Sequence, residues 1–158
     1  MMRKVQVIFA LLVAMALGTA CGENSALTRF RKDMDDFCTR ISEIDTSINN
    51  IDAQSQDAAA ELLGYLDDLD TTFQTFAALD FPEEFDYLES LADESSQYMT
   101  EAVKSYHDAF RDHSYDEAIA AYARENYSRA YKRVQIIIAF LHGEEPLDPD
   151  LSAEYENN

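Results

Sequence analysis

The chain has 158 residues, 47% of them hydrophobic, with only four glycines and three prolines. This composition excludes a disordered chain and argues against a turn-rich β architecture. Its 31 acidic residues against 12 Lys and Arg give a formal charge of −19, and a surface of that sign repels phosphate groups, which excludes nucleic-acid binding.

The first 21 residues have the order of a secretory signal peptide. Arg3 and Lys4 precede eleven unbroken apolar residues at 7–17, and three small residues then lead to Cys21. A transmembrane helix needs about 20 apolar residues, so this run is too short for a permanent span. We therefore expect residues 1–20 to be a signal peptide that is removed, which leaves Cys21 as the first residue of an exported chain.

The last five residues of this segment, LGTAC at 17–21, resemble a bacterial lipobox. The resemblance implies a bacterial membrane lipoprotein, in which the Cys21 thiol carries a diacylglycerol and the chain lies outside the cytoplasm, on the cell membrane or the outer membrane. One position departs from the pattern, since Gly18 stands where that family usually has a large aliphatic residue. Gly18 and Ala20 also fit an ordinary signal peptidase site, so the alternative is a secreted protein with unmodified Cys21.

The chain has two cysteines, Cys21 and Cys38. If Cys21 carries lipid, Cys38 stays single and is expected to be a small buried hydrophobe. If Cys21 is not lipidated, the two can form a disulfide. Residues 21–26 are the expected lipidated tether, and residues 22–26 span at most about 18 Å when fully extended.

A first helix of about 25 residues is predicted because apolar residues recur every three or four positions, with Ser25 as N-cap. The seam consists of Leu27, Phe30, Met34, Phe37, Ile41, Ile44, Ile48 and Ile51. Such a seam can pack within its own chain or against a second copy. We favour packing within the chain, because the bulky phenylalanines suit a broad core and the flanking charges are poorly matched for a two-stranded coil.

The same spacing predicts a second helix over Ser55–Leu79 and a third that starts at Pro82 and ends near Asp112. Gly64, inside the second helix, costs about 1 kcal/mol relative to alanine, which leaves either a close helix contact or simple tolerance. The two seams consist of Ala59, Leu62, Leu66, Leu69, Phe73 and Phe76, and of Phe85, Leu88, Ala92, Ser95, Met99, Ala102, Tyr106 and Ala109.

A fourth helix is predicted to begin at a capping box formed by Ser114 and Glu117 and to stop at His142-Gly143. Its seam consists of Ile119, Ala123, Asn126, Ala130, Val134, Ile137 and Leu141. Four helices of similar length predict an all-α fold, an antiparallel up-down-up-down four-helix bundle with coiled-coil-like packing over residues 27–142. The acidic residues 143–158 are expected to be a disordered tail.

Loss of Arg3 and Lys4 would leave 10 of the 12 bases against 31 acids, a formal charge of −21. Seven of those bases fall at the predicted bundle end next to the lipid, where helix 1 starts and helix 4 ends. These are Arg29, Arg31, Lys32, Arg40, Arg129, Lys132 and Arg133. They either pair with nearby acids, as Arg129 can with Glu125, or contact lipid headgroups and orient the bundle. We favour pairing.

The sequence contains no recognisable catalytic or metal-binding motif. No histidine follows a glutamate by three residues, as a di-iron bundle requires, and zinc-type clusters, EF-hand loops and glycine-rich phosphate loops do not occur. We expect no enzyme activity, no cofactor and no metal, and we interpret the acidic runs at 67–70 and 148–150 as solvated faces.

Six tyrosines lie on the predicted third and fourth helices or directly before the fourth: Tyr98, Tyr106, Tyr115, Tyr122, Tyr127 and Tyr131. They can line a ligand groove, but we interpret them as residues that flank the core with their hydroxyls in water. Asn126 and Ser95, on the predicted seams, either form a polar pocket or set the helix register.

These observations predict a lipid-anchored extracytoplasmic binding or interaction module, attached to the membrane at Cys21. We expect a monomer that docks an envelope protein partner or a small ligand. One alternative is a structural or assembly lipoprotein that self-associates through helix 1. The other is a secreted helical protein without lipid.

Overall fold

The computed structural model describes residues 25–111 and 114–144, in which the chain forms four α-helices and no strand. The helices are α1, Ser25–Asn49; α2, Ala58–Ala77; α3, Glu89–Ala109; and α4, Glu117–Leu141, with a 3₁₀ segment, Glu83–Leu88, before α3. The predicted all-α four-helix bundle is confirmed. None of the described helices is both long enough and apolar enough to cross a bilayer.

The outer parts of the predicted domain division lie outside the described residues. They comprise the signal peptide at 1–20, the tether up to residue 24, and the tail from residue 145. Ser25 and Ala26, which were predicted to belong to the tether, are already helical.

Consecutive helices run antiparallel, which produces the predicted up-down-up-down order. In the first turns of α1, Phe30 lies against Phe81, with ring centroids 4.7 Å apart. Tyr87 meets Phe140, near the end of α4, at 5.9 Å. The start of α1, the connection from α2 to α3 and the end of α4 therefore share one end of the bundle, which we call the amino end.

Large aromatic side chains fill the contact between α1 and α2. Phe37 stacks on Phe76 with centroids 4.2 Å apart and meets Phe73 edge-on at 5.5 Å. The middle of the predicted α1 seam, from Phe30 to Ile44, is buried by other parts of the same chain. This helix therefore packs within the chain, as the sequence favours.

Small side chains line the contact between α3 and α4. Ala92, Ser95 and Ala102 on α3 are fully buried, as are Ala123 and Ala130 on α4. Because small residues leave room for a neighbouring backbone, α3 and α4 approach each other at many more positions than α1 and α2 do. Long side chains bridge α1 and α4, which lie farther apart.

The predicted start of an α-helix at Pro82 is wrong. Pro82 is extended, with φ −60° and ψ 148°, and a 3₁₀ segment follows it before α3 begins at Glu89. The Phe85 amide donates to the Pro82 carbonyl at 2.7 Å and closes the first 3₁₀ turn. The Phe85 ring stacks on Phe30 at 6.3 Å, so we attribute the tighter winding to the aromatic contacts that this segment makes with α1.

The predicted capping box at the start of α4 is also wrong. Asp116 is the N-cap: its Oδ1 accepts from the amides of Ala118 at 2.9 Å and Ile119 at 3.1 Å. The Ser114 hydroxyl instead donates to a backbone carbonyl before the loop. A carboxylate is the stronger acceptor for these amides and favours the positive end of the helix dipole, which explains why the aspartate caps the helix.

The predicted helix stop after α4 is confirmed, and it is a Schellman motif. Gly143 has φ 69°, in the left-handed region that glycine adopts without strain. The Gly143 amide donates to the Phe140 carbonyl and the Glu144 amide to the Ala139 carbonyl, both at 2.9 Å.

Two predicted seam positions are exposed, and the structure decides between the two readings of Gly64. Ile119 is 36% exposed, and the seam passes through the fully buried Ala120 instead, because a helix of 3.6 residues per turn drifts from a 3.5-residue pattern. Ala59, in the first turn of α2, is also exposed. A Cβ on Gly64 would meet nothing within 4 Å, so Gly64 is tolerated rather than required by a close contact.

Candidate functional site

A carboxylate joins α1 to α4. Asp45, near the end of α1, is half-buried, and its Oδ1 accepts from the hydroxyls of Tyr127 at 3.2 Å and Tyr131 at 3.1 Å. The two tyrosine rings stack with centroids 4.7 Å apart. Tyr131 also lies against Phe73 of α2, at 5.6 Å. We call Asp45, Tyr127 and Tyr131 the Asp45 cluster.

Burial shifts the pKa of all three side chains in this cluster and so determines which of them are protonated. It raises the pKa of Tyr127 and Tyr131, so both hydroxyls keep their protons and act as donors. Burial also raises the pKa of Asp45, and the two tyrosine hydrogen bonds oppose that shift. Within the described residues, Asp45 has no ion-pair partner.

The Asp45 cluster can therefore hold and release a proton between two helices. A carboxyl whose pKa is raised by folding stabilises the fold most below its unfolded pKa, and that contribution is lost as the pH rises through the folded pKa. The raised pKa of both tyrosines keeps their hydroxyls protonated, and a protonated phenol is a poor nucleophile. The arrangement supports a structural bridge that responds to pH.

Two arginines of α4 are held by side chains of α3. Arg133 Nε lies 2.9 Å from Glu94 Oε2, and only 14% of the Arg133 side chain is exposed. Arg129 and Arg133 both lie over the ring of Tyr98, at 5.6 and 5.2 Å from its centroid. Cation–π attraction thus adds to the ion pair.

Other bases that the sequence assigned to the lipid-proximal end also pair with acids of the chain, although Arg40 and Arg129 lie near the middle of α1 and α4 rather than at that end. Arg29 contacts Asp80 at 3.4 Å, and Arg40 contacts Asp68 of α2 at 3.3 Å. Arg129 pairs with Glu125, as predicted. Pairing within the chain is therefore confirmed for these bases, and each exposed pair contributes at most about 1 kcal/mol.

A groove runs between α1 and α2 in the half of the bundle nearer the amino end. Its volume is about 340 Å³, and it is lined from α1 by Asp33, Asp36, Phe37 and Arg40 and from α2 by side chains between Thr71 and Leu79. We call it the α1–α2 groove. The aromatic rings that fill the contact between these helices also keep their backbones apart, which leaves the groove open.

The predicted role of the tyrosines is correct for some of them. Tyr115 and Tyr122 are 51% and 49% exposed, and Tyr98 and Tyr106 flank the core. For Tyr127 and Tyr131, however, the prediction that the hydroxyls reach water is wrong, because both bind Asp45.

Asp45 is the residue that sequence reasoning missed. In the sequence it is one more acid beside the seam of the first helix. The available signal is the spacing of Tyr127 and Tyr131, which are four residues apart and therefore share a helix face. That spacing indicates a paired donor set but does not identify its acceptor.

Ser95 and Asn126 do not form a polar pocket. The Ser95 hydroxyl donates to the Ala92 carbonyl at 2.7 Å, and Asn126 Nδ2 donates to the Tyr122 carbonyl at 3.1 Å. Each buried group is therefore satisfied within its own helix, and every buried side-chain nitrogen or oxygen of the described residues has a partner.

Cys21, the predicted lipidation site, lies outside the described residues. Cys38 is a free thiol that packs half-buried against the core. Burial, assisted by the charge of Asp35, raises the pKa of the Cys38 thiol. A thiol that keeps its proton is a poor nucleophile, so its environment suits a packing role.

The acidic run on α2 is divided among separate partners. Asp67 Oδ1 lies 2.7 Å from His107 Nε2, and Asp70 Oδ1 accepts from the Thr100 hydroxyl at 2.6 Å. These contacts link α2 to α3. Among the residues that the structure describes, no three His, Cys, Asp or Glu side chains are grouped to hold a metal ion.

Comparison of the chain with protein-family models, with curated proteins and with solved structures finds no match.

Proposed function

We propose that this chain is a lipid-anchored extracytoplasmic protein that acts as a binding or interaction module. The observation that carries the proposal is the LGTAC sequence at 17–21, which stands immediately before a folded bundle. A diacylglyceryl group on Cys21 supplies two acyl chains, enough for lasting attachment to a bilayer.

The short distance between Cys21 and the bundle supports this proposal. Only residues 22–24 separate the cysteine from Ser25, where α1 is already helical. Three residues extend to about 10 Å at most. A lipid at Cys21 would hold the amino end of the bundle next to the headgroups and leave the opposite end, with the turn between α3 and α4, facing away from the membrane.

Exposed aromatic side chains support a binding role. Tyr87, Tyr115 and Tyr122 are each about half exposed, and tyrosine is enriched in protein interfaces because it presents a large apolar ring with a polar tip. The α1–α2 groove adds a concave surface above the Phe37 and Phe76 rings. Both features suit recognition of another molecule.

The alternative of self-association through α1 has less support. Phe30, Phe37 and Ile44, in the predicted seam, are each at most 6% exposed because their own chain covers them. A second copy would have to displace that packing. Light scattering on the purified protein is expected to give the mass of a monomer, and a stable dimer would favour the assembly role.

The lipid anchor is tested by metabolic labelling of bacterial cells with a radioactive fatty acid. The wild-type protein and a Cys38→Ser variant are both expected to carry the label and to sediment with membranes. A Cys21→Ser variant is expected to lose both properties. Unlabelled wild-type protein in the medium would overturn the proposal and favour the secreted alternative.

A further inference from the structure

We propose that the α1–α2 groove binds a small organic ammonium ion with an apolar body. This inference rests on the proposed binding role and names its ligand class, but it does not depend on the lipid anchor. Four observations carry it. The floor of the groove is aromatic, its threonine hydroxyls already donate their protons within α2, its carboxylates are not fully neutralised by neighbouring bases, and its dimensions suit a small molecule.

The floor of the groove is apolar and aromatic. Phe37 and Phe76 stack at 4.2 Å with their planes 15° apart, and they are 6% and 1% exposed. Leu79 extends this floor toward the end of α2. Both rings are nearly covered by the chain itself, so the apolar surface left for a ligand comes from partly exposed neighbours such as Leu79, and an aromatic or aliphatic body gains free energy by covering it.

The threonines that line α2 offer oxygen acceptors to the groove. The hydroxyls of Thr71, Thr72 and Thr75 each donate to a backbone carbonyl four residues earlier, at 2.7 to 3.0 Å. Each hydroxyl has a single proton, so only its lone pairs remain for a ligand. The α2 wall is therefore suited to a ligand that donates hydrogen bonds.

The α1 wall carries negative charge that its neighbours do not fully balance. Asp33 forms no ion pair with a described residue, and Asp36 pairs with Lys32, whose side chain is 71% exposed. Arg40 lines the groove, but its guanidinium nitrogens contact Asp68 and Glu43. The complement to this wall is a cationic hydrogen-bond donor.

The dimensions favour a small molecule over a helical peptide. The lining residues extend from Asp33 to Arg40 and from Thr71 to Leu79, about 10 to 12 Å along the helices at 1.5 Å per residue. A volume of about 340 Å³ is at the small end of ligand pockets, which begin near ~300 Å³. A peptide helix would extend well beyond both ends of this groove.

The test compares three probes that share a phenyl ring and differ in charge: 2-phenylethylammonium, 2-phenylethanol and 3-phenylpropionate. Their binding to the purified full-length protein in an uncharged detergent is measured by calorimetry, with detergent blanks subtracted. The ammonium probe is expected to bind about tenfold or more tightly than the alcohol, the factor that one charged hydrogen bond supplies, and the carboxylate probe least of all.

Variants locate the site. Asp33→Asn keeps the side-chain size and is expected to weaken binding of the ammonium probe by about tenfold while leaving the alcohol unchanged. Thr75→Phe is expected to block all three probes by filling the groove. Asp93→Asn, an exposed acid on α3 outside the groove, is the matched control and is expected to bind like wild type. Circular dichroism and urea unfolding check that each variant is folded.

Equal binding of the alcohol and the ammonium probe would overturn the inference, as would unchanged ammonium binding by Asp33→Asn or Thr75→Phe. Absence of binding by all three probes to the wild-type protein would overturn it as well. None of these results bears on fatty-acid labelling at Cys21. Failure of the ligand assignment is therefore distinguishable from failure of the proposed anchor.

Discussion

The two halves of the bundle fill their interiors in different ways. Alanine and serine recur along the seam between α3 and α4, where the backbones lie close together, whereas between α1 and α2 phenylalanine rings hold the backbones apart. Both solutions bury a continuous core. In this bundle the groove lies in the half whose seam carries the large rings.

The largest expected effect comes from adding side-chain volume to the α3–α4 half, with the same addition to the α1–α2 half as its comparison. Ala123 is fully buried in the α3–α4 half, so Ala123→Leu is expected to destabilise the protein by about 1 to 3 kcal/mol through overpacking. Thr72→Leu introduces the same leucine side chain into the α1–α2 groove. It is expected to change stability by less than about 0.5 kcal/mol, as at an open surface position. Urea unfolding measures both.

The two leucine variants are each other's controls, because both introduce the same side chain into a helix. Similar losses for both would contradict the proposed difference in packing between the halves. Circular dichroism before unfolding confirms that each variant keeps its helical content.

A smaller effect is expected where the two halves meet, at the Asp45 cluster. Tyr131→Phe removes one hydroxyl donor from Asp45 and is expected to cost about 0.5 to 1.5 kcal/mol of unfolding free energy. Tyr122→Phe is the matched control, because the Tyr122 side chain is about half exposed, and it is expected to leave stability unchanged.

The same cluster predicts a pH dependence. Burial raises the pKa of Asp45 in the folded state, so ionisation of this group lowers stability as the pH rises through the folded pKa. Asp45→Asn cannot ionise. Its stability relative to wild type is expected to be highest near neutral pH, to fall as the pH drops through the folded pKa, and to level off below the unfolded pKa, in urea titrations across that range. A relative stability that rises toward acid pH would show that the sign is wrong.

The smallest expected effect is a gain at Gly64. A Cβ there would meet no neighbour within 4 Å, so Gly64→Ala is expected to stabilise α2 by about 0.5 to 1 kcal/mol through helix propensity alone. Thermal unfolding checks the sign. A loss of stability would indicate that another part of the chain approaches this position.

The periodicity of apolar residues was enough to predict the fold, but it did not predict how individual helices begin. The spacing of apolar residues is sufficient to predict four helices and their antiparallel arrangement, because the apolar face of each helix must be buried against the others. The 3₁₀ segment after Pro82 was missed because it depends on tertiary contacts of Phe81 and Phe85 with α1. Asp116 was missed as N-cap because a serine and a glutamate nearby also fit a capping pattern.

The candidate sites were harder to predict for the same physical reason. The Asp45 cluster joins residues that are more than 80 positions apart, and the α1–α2 groove depends on how far two helices stand from each other. Neither distance can be read from one helix. The spacing of residues along a helix identifies its faces, but the bundle geometry decides which faces meet.

The antiparallel order has a mechanical consequence for a bundle held at Cys21. A load between the start of α1 and the turn linking α3 to α4 would act along the helix axes. The aromatic contacts of α1 would then be sheared together rather than peeled apart one by one. The ring of Phe30 packs against Phe81 and Phe85 and would resist the first displacement of α1.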